Sequence, residues 1–207
     1  RREASFGMRL LHPNICHIMR LGETEDGLVY IVMPYVDGEV LADRTFRLGQ
    51  IPLAEVVRIV RDVAAGLHTA HQLRIIHRDL KPDNVMVVVG ADGCERVKVV
   101  DFGIAKALSQ SAETKAGVLK GKVAYMAPEQ ARGDKVDRRA DIFSIGVIMW
   151  EALAGRRMFK GLTDVQRRDI LRMLASDEAI TQLKSGGMER LTDWLRSAIA
   201  VTTTLPP

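Results

Sequence analysis

The sequence predicts an α+β fold in which a few short strands precede a mainly helical region. Two apolar segments at residues 15–21 and 28–33 flank a polar turn, a pattern typical of a strand pair. From Leu53 onward the spacing changes, because apolar side chains then recur every three to four residues, as in a helix. Residues 142–150 form an apolar run that is too short to span a bilayer and indicates a buried core helix.

The remaining elements follow from local signals along the chain. A helix is expected from Leu53 to about Leu73, with Pro52 directly before it. Two further apolar segments, at 85–89 and 97–100, flank a turn and predict a hairpin. Residues 36–38 are expected to form a connector, residues 104–126 a long polar loop, and the rest three helices at about 140–153, 163–175 and 188–200.

Composition places the chain among ordinary globular proteins. Its 207 residues are enough for one sizeable domain or two small lobes, and 47% apolar with 27% charged residues excludes a disordered or fibrous protein. The net charge of +4 suits anionic partners and also a plain solvated surface, so it selects no function. Cys16 and Cys94 lie too far apart for a zinc motif or a disulfide framework, which favours a reducing, cytoplasmic setting.

Two histidine pairs have spacings that a metal site could use. They are His68 with His71, and His12 with His17 beside Cys16. For the first pair, packing and capping at the end of a helix are favoured over metal binding. For the second pair, core and turn roles are favoured.

The chemistry is concentrated in the segment HRDLKPDN at residues 77–84. Asp79 can accept a proton from a hydroxyl group, and Lys81 can reach toward a transferring phosphate. Asn84 offers a carbonyl oxygen for Mg²⁺, and Asp101, which follows an apolar strand, adds a carboxylate of the kind that Mg²⁺ prefers. Phosphoryl transfer requires such a set: a group that orients the hydroxyl, a metal on the phosphates and a cation against the developing charge.

Four motifs in this order resemble those of the protein kinase family, of the bacterial serine/threonine type. They are HRDLKPDN at 77–84, DFGIAK at 101–106, YMAPEQ at 125–130 and DIFSIGVIMWEALAGRRMF at 141–159. The resemblance extends from residue 1 to about residue 159, and four ordered motifs are far more specific than one. It implies a two-lobed kinase fold, with a truncated small lobe at 1–33, a hinge at 34–38 and a mainly helical large lobe at 39–207.

The resemblance assigns catalytic and metal-binding roles to the residues of these motifs. Asp79 is implied to be the catalytic base, and Lys81 to contact the γ-phosphate of ATP. A lysine at position 81 also marks serine/threonine rather than tyrosine specificity. Asn84 and Asp101 are implied to hold Mg²⁺.

Neighbouring residues are implied to hold this set in place and to regulate it. Asp141 is expected to brace the backbone of the catalytic loop, while His77 and Phe102 stack on each other. Arg78 is expected to pair with a phosphorylated residue of the following loop. The hydroxyl-bearing candidates in that loop are Ser109, Ser111 and Thr114.

The ATP site is implied to lie between the two lobes. The resemblance makes Met33 the gatekeeper and places Met86 below the adenine ring. The carbonyl of Pro34 and the amide of Val36 are the expected partners of adenine, and Glu3 stands where the family has a helix glutamate that pairs with the ATP lysine. The glycine-rich loop and that lysine are not in this sequence, so we expect the chain, which does not begin with methionine, to be a fragment of a longer protein.

The expected function is transfer of a phosphoryl group from ATP, with Mg²⁺, to serine or threonine hydroxyls of proteins. Protein substrates and ATP are the expected partners, a dimer of kinase domains is a further one, and neither nucleic acid nor a membrane segment is expected. The alternative is a pseudokinase or scaffold, which the absent lysine and glycine-rich loop favour and the intact Asp79, Asn84 and Asp101 oppose. Small-molecule kinases share the architecture, but the long activation segment before the APE motif is typical of protein substrates.

Overall fold

The computed structural model describes residues 10–102, 123–159 and 163–174, and within them a hairpin separates the first strands and helices from the later helices. The elements in chain order are β1 Arg20–Glu23, β2 Val29–Val32, β3 Glu39–Val40, α1 Leu41–Leu48, α2 Leu53–Gln72, β4 Val85–Val89, β5 Glu95–Val99, α3 Pro128–Arg132, α4 Arg139–Ala154 and α5 Asp164–Leu174. Single 3₁₀ turns lie at Pro82–Asn84 and Val123–Tyr125. Among the helices that the structure describes, none combines the length and the apolar character that a bilayer span requires.

The first sheet is an antiparallel pair of β1 and β2, but β1 begins later than predicted. It starts at Arg20 and extends into the expected turn as far as Glu23, so the predicted strand at 15–21 is wrong in its bounds. The reason is that the start of this segment contacts the other sheet. Ile15 forms a bridge with Val99 of β5, and the backbone N–H of Cys16 donates to the Val99 carbonyl at 2.9 Å.

The second sheet has the order β3–β4–β5 and carries the predicted hairpin. β4 and β5 pair antiparallel from Val85 opposite Val99 to Val89 opposite Glu95. The short strand β3 lies on the other side of β4 and places Val40 opposite Met86. Val85 and Val99 are fully buried, because α2 packs across β5 and covers this end of the hairpin.

Helix α1 was not predicted, because it is only eight residues long and contains few large apolar residues. Leu41 is its one buried residue, so most of its surface faces solvent. Charge pairs attach it to the rest of the fold: Arg44 lies within 3.3 Å of carboxylate oxygens of Glu39 on β3, Glu55 on α2 and Glu95 on β5. The contact with Glu95 joins residues 51 positions apart in the chain, so no local sequence pattern reveals it.

The predicted helices α2 and α4 are confirmed and form much of the core. In α2 the buried apolar residues follow helical spacing: Val56, Ile59, Val63, Leu67 and Ala70. In α4 the core helix also buries Asp141, Ser144 and Glu151, each of which bonds to another segment. The predicted helix at 188–200 and most of the predicted loop at 104–126 lie outside the described residues.

Gly155, which ends α4, is a position where a side chain is expected to destabilise the fold. Its φ is +63°, and an added Cβ would lie 3.0 Å from the backbone nitrogen of Gln50 and 3.1 Å from the carbonyl carbon of Gly49. We expect Gly155→Ala to lower the free energy of unfolding by about 2–4 kcal/mol, the sum of backbone strain and overpacking. Chemical denaturation followed by circular dichroism measures this change.

Gly133 provides the matched control for this substitution. It ends α3 with a φ of +80°, but an added Cβ would have no heavy atom within 4 Å. Gly133→Ala is therefore expected to cost only the strain of the left-handed backbone, about 1 kcal/mol. Equal losses for the two variants would show that the contact between Gly155 and the turn before α2 is not tight.

Candidate active site

The segment 77–84 is anchored by one buried carboxylate, that of Asp141 at the start of α4. Its Oδ2 accepts the backbone N–H of His77 at 2.9 Å, and its Oδ1 accepts the backbone N–H of Arg78 at 2.9 Å. The ring Nε2 of His71 lies 2.7 Å from Oδ2, so His71 is a partner of Asp141 rather than a helix cap. A carboxylate with several donors can hold a loop in one conformation, as expected for Asp141.

His77 is completely buried and links the segment to the end of β5. Its Nδ1 accepts the backbone N–H of Asp79 at 3.3 Å, and its Nε2 lies 3.1 Å from the carbonyl oxygen of Val100. Burial lowers the pKa of His77, which favours the neutral ring, and the carbonyl partner requires the proton to sit on Nε2. The ring of Phe102 contacts His77 at 4.8 Å between centroids, tilted by 52° rather than stacked in parallel.

Asn84 and Asp101 are brought together by a backbone hydrogen bond. The N–H of Val100 donates to the carbonyl of Asn84 at 2.9 Å. Asp101 is the next residue after Val100, so this hydrogen bond holds it close to the segment 77–84. The side-chain Nδ2 of Asn84 donates to the carbonyl of Asp79 at 2.9 Å, which leaves Oδ1 as the oxygen that can coordinate a cation. An amide oxygen and an exposed carboxylate are hard donors, and this set fits Mg²⁺.

Lys81 and Asp79 lie on the same segment, on either side of a buried leucine. The backbone N–H of Asn84 donates to the carbonyl of Lys81 at 2.9 Å and closes a turn from Lys81 to Asn84. The ammonium group of Lys81 is 3.7 Å from the carboxylate of Asp83, and both side chains are partly exposed. An ion pair that is this long and partly exposed to solvent costs little to break, so Lys81 can exchange Asp83 for another anion.

The expected adenine-binding residues lie on the connector between the two sheets. Met33, Pro34 and Val36 are partly buried between β2 and β3, and the register of β3 on β4 brings Met86 to the end of this connector. The thiol of Cys16 donates to the carbonyl of Pro34 at 3.7 Å, and burial raises the pKa of this thiol, which keeps it protonated. A carbonyl oxygen has two lone pairs and can accept a second donor.

Comparison with known proteins identifies the family. The family model of the protein kinase domain, which describes the sequences of that family, matches residues 1–201. The chain belongs to the protein kinase family. The match confirms the resemblance and the α+β kinase fold that it implied, and members of the family use ATP and divalent metal ions.

Several bacterial kinases are similar to this kinase chain. It is 46% identical to the tyrosine-protein kinase MasK of Myxococcus xanthus in an alignment of 178 positions that covers 80% of the chain and 27% of that protein. It is 42% identical to the serine/threonine-protein kinase pkn3 of Myxococcus xanthus, over 77% of the chain and 30% of that protein. It is 41% identical to the serine/threonine-protein kinase PrkC of Bacillus subtilis, over 78% of the chain and 24% of that protein. The chain thus spans less than a third of the length of these relatives.

Arg78 of this kinase chain combines a strained backbone with an incompletely paired side chain. Its φ is +62°, a conformation that is rare outside glycine. Its Nε is buried and has no hydrogen-bond partner among the described residues. Such a buried guanidinium donor is costly unless an anion completes it. The loop residues Ser109, Ser111 and Thr114, and likewise Glu3, lie outside the described residues.

Two contacts at this kinase site were not found by sequence reasoning. Gln130 of α3 donates through Nε2 to the carbonyl of Arg78 at 2.9 Å, which joins the YMAPEQ motif to residues 77–84, the candidate catalytic segment. The hydroxyl of Tyr125 donates to the buried carboxylate of Glu151 at 2.7 Å. The first pair is 52 residues apart in sequence and the second 26, so no local signal could have found them.

Proposed function

We propose that this kinase chain transfers the γ-phosphoryl group of ATP to serine and threonine side chains of protein substrates. The observation that carries the proposal is the 2.9 Å hydrogen bond from Val100 to Asn84. It joins the strand end that bears Asp101 to the segment that bears Asp79 and Asn84. A proton acceptor and two hard oxygen donors thus belong to one assembled site, which is what phosphoryl transfer requires.

In this mechanism Asp79 acts on the substrate hydroxyl. Its carboxylate accepts the hydroxyl proton while the oxygen forms a bond to the γ-phosphorus, and the bond from that phosphorus to the bridging oxygen of ADP breaks. Lys81 exchanges Asp83 for the transferring group and stabilises the negative charge on its oxygens. The bond from Asn84 to the carbonyl of Asp79 keeps the base at a constant position in the loop.

Asn84 and Asp101 are the proposed ligands of Mg²⁺. A bound Mg²⁺ neutralises phosphate charge and orients the γ-phosphoryl group. The side chain of Asn84 is fixed by the hydrogen bond from its Nδ2 to the carbonyl of Asp79. Asp101 has a φ of +55°, which turns the chain directly after Val100, the residue whose N–H donates to Asn84. A non-glycine residue held in this region is a strained position of the kind that clusters at functional sites.

The nucleotide is proposed to bind against residues 34–38, the hinge between a small lobe at 1–33 and a large lobe at 39–207. This boundary is supported by the two separate sheets of the described residues, in which β1 pairs with β2 and β3 joins β4. Adenine would donate to the carbonyl of Pro34 and accept from the amide of Val36. Met33 and Met86 would border the ring, and Glu3 is proposed to pair with the ATP lysine.

Serine/threonine specificity is proposed from Lys81, although one similar protein is named a tyrosine kinase. Phosphoamino-acid analysis of a mixed protein substrate separates the two specificities. Phosphoserine and phosphothreonine support the proposal. Phosphotyrosine as the main product would contradict it.

Regulation by phosphorylation is proposed from Arg78, whose Nε has no hydrogen-bond partner among the described residues. A phosphorylated residue of the segment 103–122 would supply an acceptor for this Nε. Because Gln130 holds the carbonyl of Arg78, the pairing would connect the loop to the catalytic segment.

Asp101→Asn in the full-length protein tests the metal site. Asparagine tolerates a positive φ and nearly preserves the shape, but it replaces a charged ligand by a neutral one. We expect kcat/KM for phosphoryl transfer at saturating Mg²⁺ to fall by about 100-fold or more, and EDTA to abolish wild-type transfer. Radiolabelled ATP and a protein substrate measure both effects.

Asp92→Asn is the matched control for this experiment. Asp92 lies in the exposed turn between β4 and β5, where its Oδ1 accepts the backbone N–H of Cys94, a bond that asparagine retains. The control is expected to keep kcat/KM within about twofold, since exposed charge pairs such as that with Arg96 contribute little. Metal-independent transfer, or full activity of the Asp101 variant, would contradict the metal site.

A further inference from the structure

A second concave site lies beside the catalytic segment, between α1 and the end of α4. It is a cavity of about 230 Å³, lined among others by Phe46 of α1, Pro82 of the catalytic segment and Glu151, Arg156 and Arg157 at the end of α4. Nucleotide and cofactor sites have volumes of about 300–1,000 Å³, so this cavity is of the size that receives one or two side chains.

The acidic group of this cavity is already neutralised from within the chain. The carboxylate of Glu151 is 6% exposed, accepts the hydroxyl of Tyr125 at 2.7 Å and the backbone N–H of Met158 at 2.9 Å, and lies 3.5 Å from Arg157. A basic ligand would therefore have to displace Arg157 from Glu151 before it could pair with this carboxylate.

The basic groups of the cavity remain available to solvent. The side chain of Arg157 is 58% exposed although it also contacts the hydroxyl of Tyr125. The guanidinium of Arg156 lies 5.3 Å from the centre of the Trp150 ring, a contact that orients it without neutralising its charge. Two arginines against one paired glutamate leave the cavity with a net positive charge.

Phe46 adds an apolar surface at the rim of the same cavity. Its side chain is 93% exposed, which is unusual for a phenylalanine on a helix of a soluble domain. Aromatic and arginine side chains together are the residues most enriched at binding hot spots. An exposed phenylalanine next to two arginines thus favours a ligand that is both acidic and partly apolar.

We propose that this cavity binds an acidic side chain of the protein substrate, next to the serine or threonine that is phosphorylated. The proposal rests on the proposed kinase activity. Pro82, which lines the cavity, is three residues from Asp79 in the same rigid segment, so a peptide with its hydroxyl at Asp79 has neighbouring residues within reach. The guanidinium group of Arg156 binds the carboxylate, Arg157 stays paired with Glu151, and Phe46 packs on the adjoining residue.

The test uses the full-length protein and a peptide series built around one phosphoacceptor serine. A single aspartate is moved along the positions on both sides of the serine, and each peptide has a partner with lysine at that position. At one position we expect kcat/KM for the aspartate peptide to exceed that for the lysine peptide by about fivefold, the value of a good exposed ion pair. Arg156→Glu is expected to reverse this preference, and raising the salt concentration to weaken it in the unmodified protein.

Arg96→Glu is the matched control, because it makes the same charge change on β5, away from the cavity. It is expected to leave the aspartate preference as it is. Thermal unfolding establishes whether Arg156→Glu is folded, and the salt series on the unmodified protein tests the proposal without any substitution. Equal use of aspartate and lysine peptides, or a preference that Arg156→Glu or salt leaves unchanged, would overturn the acidic site. Absence of transfer to every peptide and protein substrate would instead overturn the proposed kinase activity.

Discussion

Asp79→Asn in the full-length protein is expected to lower kcat for phosphoryl transfer by about 10²- to 10⁴-fold, the usual contribution of a general base. Asparagine has the size of aspartate but cannot accept the hydroxyl proton. The backbone groups of Asp79 bond to His77 and Asn84, and the substitution leaves both bonds in place. The unfolding temperature is therefore expected to remain close to that of the unmodified protein.

Steady-state kinetics with ATP and a protein substrate measure this loss, and Asp137→Asn is its control. Asp137 is half-buried and pairs with Arg139, and asparagine can still accept the backbone N–H of that residue. The control should retain kcat within about twofold. A loss in the control as large as that in Asp79→Asn would indicate a nonspecific effect. Activity of Asp79→Asn close to the unmodified level would exclude Asp79 as the base.

Asp141→Ala is expected to have the largest effect on stability. Removing the carboxylate leaves the buried backbone N–H groups of His77 and Arg78 without an acceptor, and His71 without its partner. Each unsatisfied group costs about 1–3 kcal/mol, so the free energy of unfolding should fall by about 3–5 kcal/mol. This is a large share of the stability of a typical domain, and the catalytic segment should lose its conformation first.

Urea denaturation and hydrogen exchange measure the two parts of this expectation. Ser144→Ala, one helical turn along α4, is the matched control: its buried hydroxyl donates to the carbonyls of Tyr125 and Ala140, and its loss should cost only about 1 kcal/mol. Faster exchange at the amides of His77 and Arg78 should accompany the loss in Asp141→Ala. A cost no greater than that of Ser144→Ala would mean that Asp141 does not hold the catalytic segment.

The elements that could be predicted are those in which buried apolar residues recur at a regular spacing within one segment. Helix α2 shows its buried face through residues at helical spacing, and the β4–β5 hairpin shows two apolar strands around a turn. Helix α1 is short, has one buried residue and is attached by the ion pairs of Arg44, so its sequence carried too few apolar positions to predict it. Segment 15–21 was apolar enough for a strand, yet its first residues contact β5 rather than β2.

The candidate site shows the same division. Asp79, Lys81, Asn84 and Asp101 could be named from the sequence because their chemistry is grouped in short motifs. The bond from Gln130 to the same loop could not, since it joins segments far apart in the chain.

The sequence by itself therefore determined the α+β class, the kinase motifs and the side chains that are proposed to carry out phosphoryl transfer. The tertiary structure alone decided that Val100 bonds to Asn84, that Asp141 holds the catalytic segment, and that Glu151 is paired internally while two arginines face outward. The physical reason is that periodicity and motifs report only local spacing. Hydrogen bonds and charge pairs between distant segments arise only when the chain packs and buries them together.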